Sequence, residues 1–389
     1  MYLVPLLWLS CVLAGAHPNE NLAIVGFATQ YGYSIEVHTI HTPDGYILQT
    51  HRIYQPRSDN KTKRVVLLAH GIAHRADYFV VSGKNALAFY LAERDFDVWL
   101  LNARGTKYSR RHEIFDPDKD ARKFWDFSWH EIGVYDLAEN LDYILSKTAS
   151  NELYYVGHSQ GCTALLVLLS ERPEVNDKIK MAALTAPAAH LELSASPLWW
   201  LAADSRELLV TFLITAHWYE LPIPNSPSLH DYIRSLLRSS RAMATIGTDL
   251  YYLFSGPKSN LLEQGMIFVL AGCLPSGFSL RQLDHYLQIT KAGQFRQYDF
   301  GPPKNLRKYN RSTPPPYNLS NVRAPIAILY AKNDPFAGLK SSKKLADGLP
   351  TIAQFYEVPR EDFGHTDFAF AINAKELVND VIYELFDKN

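Results

Sequence analysis

Three cysteines in 389 residues are too few for a disulfide framework. One of them, Cys11, falls in the N-terminal leader described below, which leaves Cys162 and Cys273. Stability must then come from a packed core, and a chain of this length is long enough to bury a large one. An excess of charge is also missing: 39 Lys and Arg stand against 40 Asp and Glu, a net charge of -1 that offers no field for drawing in nucleic acid. No Pro/Gly/Ser-rich linker cuts the chain into equal parts, and there are no internal repeats or low-complexity segments, so solenoids and tethered tandem domains are excluded. Beyond the N-terminus no apolar run reaches the roughly 18 residues of a transmembrane helix. What remains is one large α/β domain carrying an insertion, with the 47% hydrophobic and 20% charged composition of an ordinary enzyme.

What is present begins with residues 1–16, an apolar run (LVPLLWLSCVLAGA) too short to span a bilayer and closed by Ala14-Gly15-Ala16. It reads as a signal peptide cleaved after Ala16, although its first residues carry no Lys or Arg. Sequons at Asn60, Asn310 and Asn318 sit in polar or Pro-containing stretches and agree with passage through the secretory pathway, to a secreted or lysosomal destination.

Residues Ser34 to His41 and Tyr46 to Tyr54 alternate around the turn Pro43-Asp44-Gly45, the pattern of a hairpin. Arg64 to Ala69 and Asp97 to Leu101 are continuous apolar runs of the buried, parallel type, joined by a helix from about Lys84 to Glu93. A right-handed crossover and a parallel sheet follow. Helical spacing marks Ile132 to Ser146, and then come a strand at Leu153 to Val156, a helix at Gly161 to Leu169 and a strand at Met181 to Thr185. There the alternation breaks. Residues 188–300 are rich in apolar and aromatic helical stretches, including Leu198-Trp199-Trp200 and Leu208 to Tyr219, and read as an inserted helical cap. The core, 17–187 and 301–389, resumes with a strand at Pro325 to Tyr330, a helix near Ser341 to Asp347, a strand near Gln354 to Val358 and a closing helix from Ala374 to Phe386.

A serine hydroxyl is a poor nucleophile at neutral pH, so a serine hydrolase needs a base to take its proton and donors to hold the oxyanion. Gly157-His158-Ser159-Gln160-Gly161 stands between a buried strand and a helix, where its glycines permit the tight turn that lifts the Ser159 hydroxyl above a sheet. His70-Gly71-Ile72 ends an earlier strand, which makes the backbone N–H groups of Ile72 and Gln160 the candidate oxyanion donors. Asp334 follows a buried strand across a short turn, at the sheet edge where such folds keep their sites. Its competitors are Asp347, on a helix, and Asp362 and Asp367, read as solvated loop charges beside the histidine. His365 is the only histidine after Asp334 and lies between the last strand and the last helix. Ser159, Asp334 and His365 thus form the expected nucleophile, orienting acid and general base, in the chain order of the α/β-hydrolase fold. His70 and His74 stand four apart but lack a helix and an accompanying carboxylate, so no metal site is expected there, and the chemistry requires no cofactor.

These motifs are part of a longer colinear set: Thr42-Pro43-Asp44-Gly45-Tyr46-Ile47-Leu48, Ala69-His70-Gly71, Asp97 to Gly105, Tyr108-Ser109-Arg110-Arg111-His112, Tyr154 to Gly161 and Leu184-Thr185-Ala186-Pro187. Over nearly the whole mature chain the sequence resembles the gastric and lysosomal acid lipases and their insect relatives. The resemblance implies a mostly parallel sheet with helices on both faces, a helical cap with a movable lid, and hydrolysis of triacylglycerols or sterol esters at a lipid–water interface. It also supports Ser159, Asp334 and His365 as the triad and the Ile72 and Gln160 amides as the oxyanion hole. The chain departs from it in Cys162, where the family often has threonine, and in Cys273, which has no near partner although family members commonly close a disulfide in the cap. The loop from Ile72 to Phe79 is also more basic and aromatic than usual. A carboxylesterase acting on smaller esters, and a lipid-binding or storage protein without chemistry, are the alternatives; the second should lack a triad residue, and none is missing.

Overall fold

The structure is a computed structural model and describes residues 23–54, 64–222, 227–263 and 265–389. The expected leader and Asn60 lie outside the described residues. An eight-stranded sheet runs in the order β1-β2-β4-β3-β5-β6-β9-β10, with β1 Ser34–His41, β2 Ile47–Tyr54, β3 Arg64–Ala69, β4 Phe96–Leu100, β5 Leu153–His158, β6 Ile179–Thr185, β9 Ile326–Tyr330 and β10 Ile352–Glu357. Two further short strands, β7 Glu220–Leu221 and β8 Phe278–Ser279, pair with each other apart from the main sheet. The β1–β2 hairpin is antiparallel, β2 pairs antiparallel with β4, and from β4 to β10 every pairing is parallel. Every residue of β4, β5 and β9 is buried, as strands covered on both faces by helices must be.

Two large clusters divide the core between the sheet's faces. Leu67, Tyr155 and Ile328 belong to one and Leu68, Val156 and Leu329 to the other, the alternation that a period of two imposes. The helix Gln160–Glu171 follows β5 and is buried along nearly all its length. Sequence periodicity passes over the short helix Ile24–Gln30, which buries Ile24, Phe27 and Ala28 against the second cluster. The helix expected over 132–146 is present, but its first turns, Ile132–Leu137, are wound as a π-helix.

Between β6 and β9 the chain forms the helices Pro197–Asp204, Arg206–Thr215, Pro227–Arg238, Arg241–Ser255, Met266–Cys273 and Leu280–Ala292, followed by Pro302–Tyr309. Three of them, Pro227–Arg238, Arg241–Ser255 and Met266–Cys273, share a small core of Leu237, Ile267, Phe268 and Ala271. Trp199 turns inward, its indole nitrogen donating to Thr290 Oγ1 at 2.9 Å and its ring meeting Phe336 edge-on. Leu201, Leu208 and Phe212 turn outward, 64%, 76% and 57% exposed.

Candidate active site

The site is built where strands end. Ser159 leaves β5 with φ 51° and ψ -111°, a backbone region that side-chain-bearing residues seldom occupy, and the helix starts at Gln160. The strain is held by close packing on both sides. A Cβ on Gly161 would lie 2.2 Å from the carbonyl oxygen of Ala69 on β3, and one on Gly157 would lie 2.8 Å from the Cys162 nitrogen. Glycine is therefore required at both positions, and the turn is fixed by the neighbouring strand. The Ser159 N–H donates to Thr185 O at 3.0 Å across the β5–β6 edge.

Asp334 follows β9 and His365 follows β10, and the fold brings both to Ser159 from sequence separations of 175 and 206 residues (334 - 159; 365 - 159). His365 Nδ1 lies 2.7 Å from Asp334 Oδ2, and His365 Nε2 lies 2.9 Å from Ser159 Oγ. A carboxylate only accepts, so the ring proton sits on Nδ1 and the Nε2 lone pair is free to accept the serine proton. The other oxygen of Asp334 accepts the Phe336 and Ala337 amides at 2.8 and 2.9 Å, which fixes the carboxylate plane. Ser159 keeps 6% of its exposure and His365 8%, so both residues are nearly closed off from solvent.

Of the competing acids, Asp347 lies on the helix Leu339–Gly348, paired with Lys343, and Asp362 is paired with Arg360 at the surface. Asp367 corrects the expectation of a solvated loop charge: it is buried, accepts the Gly364 amide at 2.7 Å through Oδ2 and accepts Ser259 Oγ at 3.1 Å through Oδ1. A short sequence distance from His365 is what lets it brace the histidine loop. Burial pushes its carboxyl above the usual range, and the Gly364 and Ser259 bonds oppose that rise.

At the end of β3, Gly71 passes so close to the serine turn that a Cβ there would lie 3.1 Å from Ser159 Cβ. His70 is saturated: its Nδ1 donates to Gly71 O at 2.8 Å and its Nε2 accepts the Ala103 amide at 3.2 Å. Burial lowers it to about 4. It ties the ends of β3 and β4 together. His158 stacks on Tyr78 at 4.7 Å and lies 5.0 Å from the His365 ring, and burial drives its pKa far down, so it faces the His365 imidazole as a neutral group. Neither contact carried a sequence signal, because both depend on tertiary packing.

A second network lies beneath. Arg104 is buried and donates to both oxygens of Asp44 and to Asp136, with its guanidinium 4.0 Å above the Tyr46 ring. The Pro-Asp-Gly-Tyr and Asn-Ala-Arg-Gly motifs, distant in sequence, thus form one charge-paired unit. The helical segment reaches the site through polar contacts: Gln282 Nε2 donates to Gln160 Oε1 at 3.0 Å, and Tyr286 Oη lies 3.0 Å from Thr163 Oγ1. Cys162 and Cys273 are buried free thiols.

A family model described as a partial alpha/beta-hydrolase lipase region matches residues 24–83, and one described as the alpha/beta hydrolase fold matches residues 64–213. The chain is 36% identical to Lipase 1 of Drosophila melanogaster over 92% of its own length and 78% of that relative. It is 31% identical to gastric triacylglycerol lipase of Bos taurus, over 94% of its length and 91% of the relative's. To lysosomal acid lipase/cholesteryl ester hydrolase of Rattus norvegicus it is 30% identical, over 95% and 92%. Among solved structures, a thermophilic esterase from Thermogutta terrifontis superposes with a TM-score of 0.53 at 14% identity, covering 91% of this chain and 98% of that one, a likeness of fold.

Proposed function

The chain belongs to the acid lipase family of the α/β-hydrolases and is an ester hydrolase of the lipase kind, and from that premise we propose that it cleaves fatty-acyl esters, triacylglycerols or sterol esters, through an acyl-serine at Ser159. The observation that carries the proposal is the unbroken Asp334–His365–Ser159 hydrogen-bond chain at three strand ends, with the serine in a strained turn.

In this reading Ser159 Oγ attacks the ester carbonyl while His365 Nε2 takes its proton and then delivers it to the leaving alcohol. Water, deprotonated by the same nitrogen, releases the acid and restores the serine. Asp334 holds the imidazole tautomer and offsets the charge of the imidazolium. The oxyanion is received by the Ile72 and Gln160 amides. Gln160 is the first residue of its helix, so its N–H has no partner within the helix, and neither amide donates to another group among the described residues. Each such donor contributes about 3 kcal/mol in a transition state.

Residues 188–300 act as a cap over this site, and their outward Leu201, Leu208 and Phe212 form the face that meets a lipid–water interface. Among the described residues no helix is long and apolar enough to cross a membrane. The leader ending at Ala16 and the sequons support delivery through the secretory pathway to a secreted or lysosomal location; Asn310 and Asn318 are exposed as glycan acceptors must be.

The test is hydrolysis of an emulsified long-chain triacylglycerol beside a soluble short-chain ester by the wild type and Ser159→Ala. The variant is expected to lose at least about a thousandfold on both. An undiminished variant contradicts the serine mechanism, and a wild type active on the soluble ester alone contradicts the lipid substrate.

A further inference from the structure

The helix Leu280–Ala292 touches the helix that starts at Gln160 through two polar pairs. Gln282 and Tyr286 stand four apart on one face of the first, and they reach Gln160 and Thr163, three apart on the second. The direction of each bond follows from what each group can do. The Ser279 N–H only donates, so the Gln282 atom that meets it at 2.7 Å is the carbonyl oxygen Oε1, and Gln282 Nε2 is left to donate to Gln160 at 3.0 Å. Gln160 therefore turns its own side-chain oxygen, Oε1, toward Gln282. Both glutamines are buried. One turn on, Thr163 Oγ1 gives its proton to Ala188 O at 2.7 Å and accepts from Tyr286 Oη.

Half of this arrangement is a capping box. Ser279 Oγ accepts the Gln282 amide at 3.0 Å while Gln282 Oε1 accepts the Ser279 amide, which closes the start of the helix. A box needs only an acceptor at this position, and glutamate supplies one with a negative charge that suits a helix N-terminus. The box at Ser128 is built that way, with Glu131 turned back onto the Ser128 N–H and hydroxyl at 2.8 and 3.0 Å. The bond to Gln160 is what requires an N–H, and a carboxylate has none. Capping thus accounts for Oε1 of Gln282 and not for its Nε2.

We propose that Gln282 is a positioning residue for ester hydrolysis: by holding Gln160 Oε1 it keeps the Gln160 N–H open to the substrate's oxyanion. The inference rests on the reading of that N–H as an oxyanion donor. Gln160 carries an acceptor oxygen on a flexible arm beside its own N–H, which has no partner among the described residues, and orphan donors at a helix start are satisfied by nearby side chains. Released, that oxygen would compete for the donor and set partial negative charge beside the charge that develops in the reaction. Tied to Gln282 in the interior, it is kept from doing so. The effect falls on the transition state, where the oxyanion forms, rather than on the bound ester.

Two variants remove the N–H, Gln282→Met at nearly equal length and Gln282→Glu with the capping box kept. On a soluble ester each is expected to lower kcat about tenfold with KM changed less than about twofold. A trifluoromethyl ketone, whose hemiketal with a serine places an oxyanion where the ester's would form, should bind Gln282→Met about tenfold more weakly, while an ether analogue without a carbonyl binds within about twofold of the wild type. Ser279→Ala is the structural control: it loses the capping hydroxyl and leaves the Gln282–Gln160 pair, so its melting temperature should fall while its kcat stays within about twofold of the wild type. Unchanged kcat and ketone affinity in the Gln282 variants overturn the inference, as does a loss carried in KM, or an equal loss of kcat in Ser279→Ala. The serine mechanism fails on a different observation, an active Ser159→Ala or a wild type that forms no ketone adduct on Ser159, and its failure overturns this inference too.

Discussion

The strand ends of the sheet and the helical segment between β6 and β9 meet at Ser159, and they are built on opposite principles. At the strand ends nearly every group is buried and pinned: Asp334 by two amides, Gly161 against Ala69, and Arg104 by Asp44 and Asp136. The helical segment keeps a small core of its own, leaves Leu208 and Phe212 in solvent, and touches the site through side-chain pairs such as Gln282–Gln160. Geometry that must hold to a fraction of an ångström is assigned to the rigid region, and apolar surface to the other.

The sharpest way to probe the rigid side is Asp367→Ala, which removes both bonds that brace the His365 loop. kcat is expected to fall about a hundredfold with little change in KM, measured on the soluble ester; an unchanged kcat would show that the loop holds its shape without that brace. A smaller effect is expected across the seam. Leu208→Ser with Phe212→Ser should lower hydrolysis of the emulsion about tenfold while leaving the soluble ester and the melting temperature nearly unchanged, because both side chains are already solvated. Equal losses on the two substrates would erase the division of labour between the regions.

The last effect concerns pH and is read on stability rather than on rate. Burial lowers His51 and His70 to about 4 and His285 to about 3. Each is neutral in the folded chain while its unfolded counterpart titrates near 6.5, so between those values the unfolded state binds more protons. Their contribution to stability is complete above about pH 6.5 and declines as pH falls toward 4, each by about 1.4 kcal/mol per pH unit. Urea midpoints should therefore drop from pH 7 to pH 4, and a flat or rising midpoint would contradict the neutral burial of these rings.

The fold was legible wherever burial dictates pattern. The continuous apolar runs of β3, β5, β6 and β9, the hairpin around Gly45 and the strand–turn–helix at Ser159 each carry a local signature, and Asp334 and His365 could be placed from the strands they follow. Contacts that join distant residues carry none. Nothing near Asp367 announces Ser259, and nothing in Pro43-Asp44-Gly45 announces Arg104, because charge pairing in the interior is decided by topology. The same holds for the aromatic run after Leu198, where helical position sends Trp199 inward and Leu201 outward although both are apolar.

The central claim is that Ser159 is the atom acylated. Treating the native enzyme with an alkyl phosphonate ester and mapping the adduct by peptide mass spectrometry tests it most directly. The account expects one adduct per chain, on the peptide containing Gly157-His158-Ser159-Gln160-Gly161, formed in step with loss of activity and much more slowly in His365→Ala. Complete inactivation with the adduct on another residue, or full labelling with activity intact, would contradict it.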